Sequence, residues 1–315
     1  MAKVILFGEP MTLFTAQECG SLKDAKTFKK SLAGAELNVC IGLKRLGHTP
    51  LYITKLGKND PFGSYIYESL QGKGFDLSGV SFDDEHLTGF MLKSKSHEPD
   101  TAYFRKDSAA SHITPEDIDN VSFENVSHVH ITGIPCALSE SCLKAVLRLA
   151  ERAKENNIYV SFDPNLRPSL WHDKSVMAET LNRIACMSDM VMPGVSEGKT
   201  LTGFDEPEKI ADYYLSKGVK DVVVKVGPKG AYVKNDKVNT YLPCFDTDKV
   251  VDRVGAGDGF AVGVISGRLE GLPIEDAVMR GNIIGALQTM VEGDNEGLPT
   301  REVLERCVAS VKNKS

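Results

Sequence analysis

A chain of 315 residues is long enough for one large domain, or one large domain with a small appendage. Hydrophobic residues at 42% and charged residues at 25% exclude a disordered chain. A formal net charge of −6 weighs against a nucleic-acid partner, which needs a basic face, but leaves room for a small anionic ligand held by a few local Arg and Lys residues.

The apolar run Lys3 to Phe7, stopped by Gly8, predicts a first strand. A polar stretch from Gln17 to Lys30 follows. A helix is expected from about Ala35, with Leu37, Ile41 and Leu46 on one face and Gly47 as its stop. Leu51 to Leu56 reads as a strand and Phe62 to Lys73 as a helix. Thr88 to Arg105 reads as two strands joined by a turn at His97-Glu98-Pro99-Asp100. The pattern then repeats: strands at Val126–Ile131, Ile158–Phe162, Met190–Met192 and Asp221–Val226 alternate with helices near Ser141–Asn156, Ser175–Met187 and Pro207–Ser216. Buried strands separated by amphipathic helices predict a doubly wound α/β fold, its mostly parallel sheet covered by helices on both faces. Gly230–Lys234 and Val238–Leu242 read as an antiparallel pair, and helices near Asp258, Ile274 and Thr300 close the chain. Segments of about 10–33 and 88–106 interrupt the rhythm and are expected to form a small β-sheet lid on a single domain spanning 1–315.

The seven cysteines are odd in number, show no Cys-x-x-Cys spacing and have no His cluster beside them, so they read as buried apolar residues in a reducing compartment. The opening apolar run is too short for a signal peptide, and no stretch approaches the roughly 20 apolar residues of a membrane span. The expected location is the cytoplasm.

The segment Val250 to Ala261 carries the chemistry. Gly255, Ala256 and Gly257 leave backbone N–H groups uncovered at a helix start, where the helix dipole also favours an anion. Gly257 is expected to need both close backbone approach and glycine dihedrals. Asp258, in the first turn, would sit beside a bound phosphate, badly placed to hold it and well placed to accept a hydroxyl proton. Spacing alone equally allows Asp258 to be a helix cap. The Walker pattern and the dinucleotide fingerprint are both absent.

Asp252 to Phe260 resembles the C-terminal signature of the ribokinase-like (PfkB) carbohydrate kinases, and Gly34-Ala35-Glu36-Leu37-Asn38 through Gly47 resembles their N-terminal signature. Leu56 to Gly63 and Asp163-Pro164-Asn165-Leu166-Arg167 also match, in family order along nearly the whole chain. The resemblance implies a ribokinase-like fold, ATP and Mg²⁺ as cofactors, Asp258 as catalytic base, and Gly255, Ala256 and Gly257 as an anion hole. It further implies a nucleotide site that draws on Asn165, Lys225, Gly227, Gly230 and Asn282. Glu197 would organise metal-bound water, although Gly194 stands where the family usually has Asn. A helix-start role for Glu197, an ordinary turn at 225–230 and a solvent-facing Asn282 stay open.

Gly8-Glu9-Pro10-Met11, Asp252-Arg253-Val254 and Gly293 to Arg301 resemble 2-keto-3-deoxygluconate kinases within that family. By that similarity Gly34, Asn38, Phe90, Tyr103, Arg105, Ile134, Arg167, Asp258 and Asp294 belong to the sugar-acid site, with Phe90 lacking the hydroxyl some relatives have there. Tyr103 and Arg105, two apart on a strand, share a face. Arg167 follows the end of a parallel strand, where α/β sheets bind ligands. Two guanidinium groups suit a carboxylate. The alternatives are a lid-edge salt bridge for Arg105 and pairing with Asp163 or another carboxylate for Arg167. At the level of function they are a fructokinase, a 5-keto-2-deoxygluconate kinase or a sugar-sensing protein on the same fold. The expected partner is a small sugar acid, with no nucleic acid or membrane. Self-association into a homo-oligomer and activation by a monovalent cation stay open.

Overall fold

The computed structural model describes residues 3–96, 100–247 and 249–312. In chain order, β1 (Lys3–Phe7) leads to β2 (Met11–Cys19), β3 (Phe28–Ala33), α1 (Ala35–Arg45), β4 (Thr49–Gly57), α2 (Pro61–Gly72) and β5 (Val80–Asp83). Then come β6 (Phe90–Lys95), β7 (Thr101–Phe104), α3 (Pro115–Asp119), β8 (Val126–Thr132), α4 (Glu140–Glu155), β9 (Tyr159–Asp163), α5 (Lys174–Met187) and β10 (Met190–Val191). The chain closes with α6 (Val195–Thr202), α7 (Pro207–Ser216), β11 (Asp221–Lys225), β12 (Ala231–Lys234), β13 (Asn239–Leu242), α8 (Ala256–Leu269), α9 (Ile274–Gln288) and α10 (Arg301–Lys312).

Alternation along β1 sets the layers. Ile5 and Phe7 join a core with residues of α4, α5 and α7, whereas Val4 and Leu6 join one with α1, α8 and α9. Helices therefore cover both faces, as buried parallel strands require. The large sheet runs β13-β12-β11-β10-β9-β8-β1-β4-β5. Its strands are parallel except for the antiparallel pairings of β12 with β11 and with β13. Strand order reverses at β1, with β4 on one side and β8 on the other, which opens a crevice at the carboxyl ends of these strands.

Helix ends follow local chemistry. The Asp60 carboxylate accepts from the N–H groups of Phe62 and Gly63 at the start of α2, and Ser139 accepts from Cys142 at the start of α4. Gly47, at φ 85°, ends the turn after α1 in a conformation that side chains resist.

The two interrupting segments do form one sheet, ordered β3-β2-β6-β7. The expected turn at His97, Glu98 and Pro99 lies outside the described residues. Three elements go beyond the sequence reading: β5, α3 and α6. β5 is a four-residue edge strand with no residue fully buried, so it carries little hydrophobic signal. α3 and α6 span five and eight residues, too short for a clear 3.6-residue period. All seven cysteines are free. Among the described residues, no helix is long and apolar enough to cross a membrane.

Candidate active site

A cavity of about 380 Å³ opens where the crevice of the large sheet meets the small sheet. Its floor is the start of α8. Gly255 takes φ 75° there, and a Cβ on it would collide with the Asp294 carbonyl oxygen, so only glycine fits. Gly257 differs from the expectation. Its φ is ordinary, and a Cβ would meet only the Lys225 ammonium, at 3.8 Å. Its own dihedrals do not require glycine, and the space beside it is open to the cavity. No backbone carbonyl among the described residues accepts from the N–H of Gly257 or Asp258, as expected for a helix start.

The Asp258 carboxylate faces the cavity and caps nothing. Its Oδ2 accepts from the Asn38 amide at 2.8 Å. Asn38 is fixed in turn by the Asn295 amide, which donates to Asn38 Oδ1 and to the Leu32 carbonyl, both at 3.0 Å. Burial pushes the Asp258 carboxyl up to about 6. The Asn38 hydrogen bond lowers it, Asp163 raises it, and Arg167 and Lys225 draw it down.

At the end of β9, buried Asp163 pairs with Lys225 from β11 at 2.7 Å. Burial alone would lower Lys225, but Asp163 and Glu197 outweigh it and hold the ammonium above its ordinary value. Asn165 turns the chain at φ 39°, and its N–H donates to Asp163. Glu197 binds backbone with both oxygens and lies 4.0 Å from Lys225 Nζ. One oxygen accepts from Leu166 N–H at 2.9 Å and the other from Gly194 N–H at 2.7 Å. It thereby joins the α6 start to the β9 loop, the helix-start role that the sequence had left open. Arg167 is exposed over the cavity, its guanidinium bound to the Leu166 carbonyl. Among the described residues no carboxylate lies within ion-pair distance of it, and Asp163 is taken by Lys225.

The roof comes from the small sheet. Met91 and Lys93 of β6 and Thr101 and Tyr103 of β7 point inward, with Met11 of β2 and with Arg105 just beyond β7. Tyr103 and Arg105 do share the face. Lys93 Nζ reaches across to Asp252 at 2.5 Å. Arg105 donates through Nε to buried Glu9 at 2.6 Å, and Ser108 Oγ binds the other Glu9 oxygen. Arg105 is therefore in a buried ion pair and at the cavity wall at once. Asp294 lines the cavity with Oδ1 unpaired, and burial pushes it up to about 7 against the pull of Lys93.

Gly34, Asn38, Ile134, Asn165, Arg167, Glu197, Lys225, Gly255, Gly257, Asp258 and Asp294 thus converge with Tyr103 and Arg105 on one cavity. Phe90 does not. It lies on the opposite face of β6, its ring stacked on Phe104 at 4.6 Å and packed against Phe14 and Phe62, because strand alternation gives the inward face to Met91. Asn282 is buried and spends its amide on the Leu242 and Pro243 carbonyls. Gly227 and Gly230 shape the turn after β11 with positive φ, away from the lining, and Ala256, half-buried in the first turn of α8, is not part of the lining either. Sequence reasoning missed Lys93 and Glu9. With Phe90 placed inward, alternation turned Lys93 outward, and Glu9 carries no local sign of its distant partner Arg105.

Unpaired backbone N–H groups at a helix start beside an ionisable carboxylate, roofed by a second sheet, are an arrangement that suits a phosphotransferase on a doubly wound fold. Residues 1–301 match the model of the pfkB family of carbohydrate kinases, and the chain belongs to that family. It is 48% identical over 303 residues, covering 95% of this chain and 93% of the relative, to the 2-dehydro-3-deoxygluconokinase of Bacillus subtilis (strain 168). A PfkB protein from Polaromonas sp. JS666 superimposes with a TM-score of 0.89 at 42% identity, over 97% of this chain and 99% of that one. A candidate ribokinase II from E. coli, solved with ATP and Mg²⁺, has a TM-score of 0.89 at 26% identity, over 98% and 100%.

Proposed function

We propose that the chain phosphorylates 2-keto-3-deoxygluconate (the 2-dehydro sugar acid of the B. subtilis relative) on its 6-hydroxyl, with ATP as donor. The observation that carries this is Asp258, facing the cavity at the N–H-rich start of α8, beneath the guanidinium of Arg167, which no carboxylate among the described residues pairs. Residues 1–315 act as one kinase domain, the small sheet serving as its lid. Seven free thiols fit a reducing cytoplasm.

Asp258 accepts the proton of the sugar hydroxyl as the oxygen attacks. ATP supplies the phosphoryl group and Mg²⁺ would screen its charge. The open space beside Gly257 and the free N–H groups of Gly257 and Asp258 fit a phosphate. Those N–H groups stabilise charge on the transferred group, and they are held in place before reaction, so little reorganisation is needed. Asn38 orients the Asp258 carboxylate. Lys225, kept charged by Asp163, adds positive charge at the same floor. Glu197 positions the β9 loop. Arg167 and Arg105 receive the carboxylate of the sugar acid, with Tyr103 at the rim.

The test is ADP release with 2-keto-3-deoxygluconate, its C4 epimer, fructose and ribose. The reading expects the highest kcat/KM on one of the two acids. A preference for fructose overturns the substrate and leaves the kinase chemistry standing.

A further inference from the structure

Outside the cavity, where the small sheet returns to the body of the molecule, the fold assembles a group that the sequence scatters. His86 follows β5. Asp107 and His112 follow β7, His112 closing the short helical turn Ala109–His112. One ligand atom from each lies within 4.8 Å of the other two. His112 Nε2 stands 2.7 Å from one Asp107 oxygen, and His86 Nε2 stands 3.9 Å from the other. The two imidazoles are stacked, with centroids 3.6 Å apart and planes 18° from parallel, so one ring turns about its side-chain bonds when both Nε2 lone pairs meet a single ion.

The backing of His86 is what gives this group direction. Asp83 Oδ1 lies 3.0 Å from His86 Nδ1 and is itself fixed by the N–H groups of Glu85 and His86. A carboxylate behind an imidazole holds the proton on Nδ1 and leaves the lone pair on Nε2, the nitrogen that faces Asp107. All three side chains are partly open to solvent, so an ion has a path in.

We propose that His86 Nε2, His112 Nε2 and the Asp107 carboxylate bind a divalent transition cation of the Zn²⁺ class, with solvent completing the coordination. Two imidazoles and one carboxylate suit Zn²⁺, Ni²⁺ or Cu²⁺. Mg²⁺ and Ca²⁺ prefer oxygen donors throughout, so the site is distinct in chemistry from any that serves ATP. Its place gives it an effect. The segment that carries Asp107 and His112 also carries Arg105 and Ser108, both bound to Glu9, and His86 belongs to the body of the molecule. A cation here fastens the root of the small sheet to that body.

The test uses the full-length protein, stripped with chelator and titrated with Zn²⁺ against a chromophoric competitor. Co²⁺ serves as a spectroscopic probe. The expected result is one equivalent bound with a raised thermal midpoint, and Co²⁺ bands without thiolate charge transfer. His86→Gln and His112→Gln should each weaken Zn²⁺ at least tenfold, Asp83→Asn about 10–100-fold, and Cys19→Ser not at all. The variants lie near the surface, and an unchanged metal-free thermal midpoint shows that they fold. Zn²⁺ affinity that survives in the His86→Gln/His112→Gln double variant, or a thiolate band with Co²⁺, overturns the proposal.

Discussion

At the residue scale, the behaviour of Asp258 follows from where its carboxyl sits. An ordinary aspartate ionises near pH 4, but burial moves this one to about 6. A base works only when ionised, so kcat/KM should be level above about pH 7 and fall as pH drops through about 6. Arg167→Ala removes a charge that draws the carboxyl down and should move that break upward. A wild-type profile that stays level to pH 4 would refute the base assignment. Asp258→Asn should lower kcat by about 10²–10⁴ while calorimetry still records both ligands binding. The two arginines should separate. Arg167→Ala should raise KM for the sugar acid far more than for a neutral ketose, with Lys at this position only partly restoring it. Arg105→Ala should also destabilise the fold by about 3–5 kcal/mol, because it takes the ion-pair partner from the buried Glu9 side chain, and Arg105→Ala/Glu9→Gln should recover part of that loss in a denaturant titration. The placement of Asp258 and Arg167 at the cavity was legible in the sequence from a helix start and a strand end, whereas Asn38 entered only through resemblance to relatives. Glu9 and Lys93 were not legible, since their meaning depends on partners 96 and 159 residues away.

At the element scale, the start of α8 joins two glycines with different duties. Gly257→Val should fold like the wild type, with an unchanged thermal midpoint, yet lose kcat/KM for ATP, because the side chain would fill space that a phosphate needs. Gly255→Ala should instead lower the thermal midpoint, since a Cβ there meets the Asp294 carbonyl in a left-handed backbone. Equal midpoints for the two variants would contradict this division. The sequence located α8 and its neighbours because long amphipathic helices and apolar strands carry a strong period. It left out β5 and α6, whose spans are too short to show one, and it put Phe90 in the site by similarity to relatives, whereas alternation along β6 turns that residue outward.

At the scale of the whole molecule, buried titratable groups pull stability in opposite directions. Glu36 and Asp294 are pushed up to about 7 and Asp258 to about 6, each chiefly by burial. Above about pH 4 the unfolded chain releases these protons before the folded one does, so on their account stability falls as pH rises to about 7. His128 and His130 are buried and pushed down to about 3, so the unfolded chain takes up protons below about 6.5 that the folded one refuses. Their contribution is lost as pH falls from about 6.5 toward 3. Asp294→Asn removes one carboxyl from the first set. It should stabilise the protein by about 2–4 kcal/mol at pH 8 and by much less at pH 5, read from denaturant midpoints. A gain that is the same at both values would exclude ionisation as the cause. The reach between Asn38 and Asp258 has one more consequence, for synthesis of the chain. These partners are 220 residues apart, and Asn295, which fixes Asn38, comes 257 residues after it. On a ribosome adding 5–20 residues per second, α1 emerges roughly 11–44 s before α8 exists. α1 can pack on β1 and β4 once these have formed, but its side toward α8, where Gly42 lies against Val262, stays uncovered for that time. A nascent chain stalled anywhere before Asp258 therefore holds a sticky helix and no chemistry, and the enzyme becomes whole only as its last helices leave the tunnel.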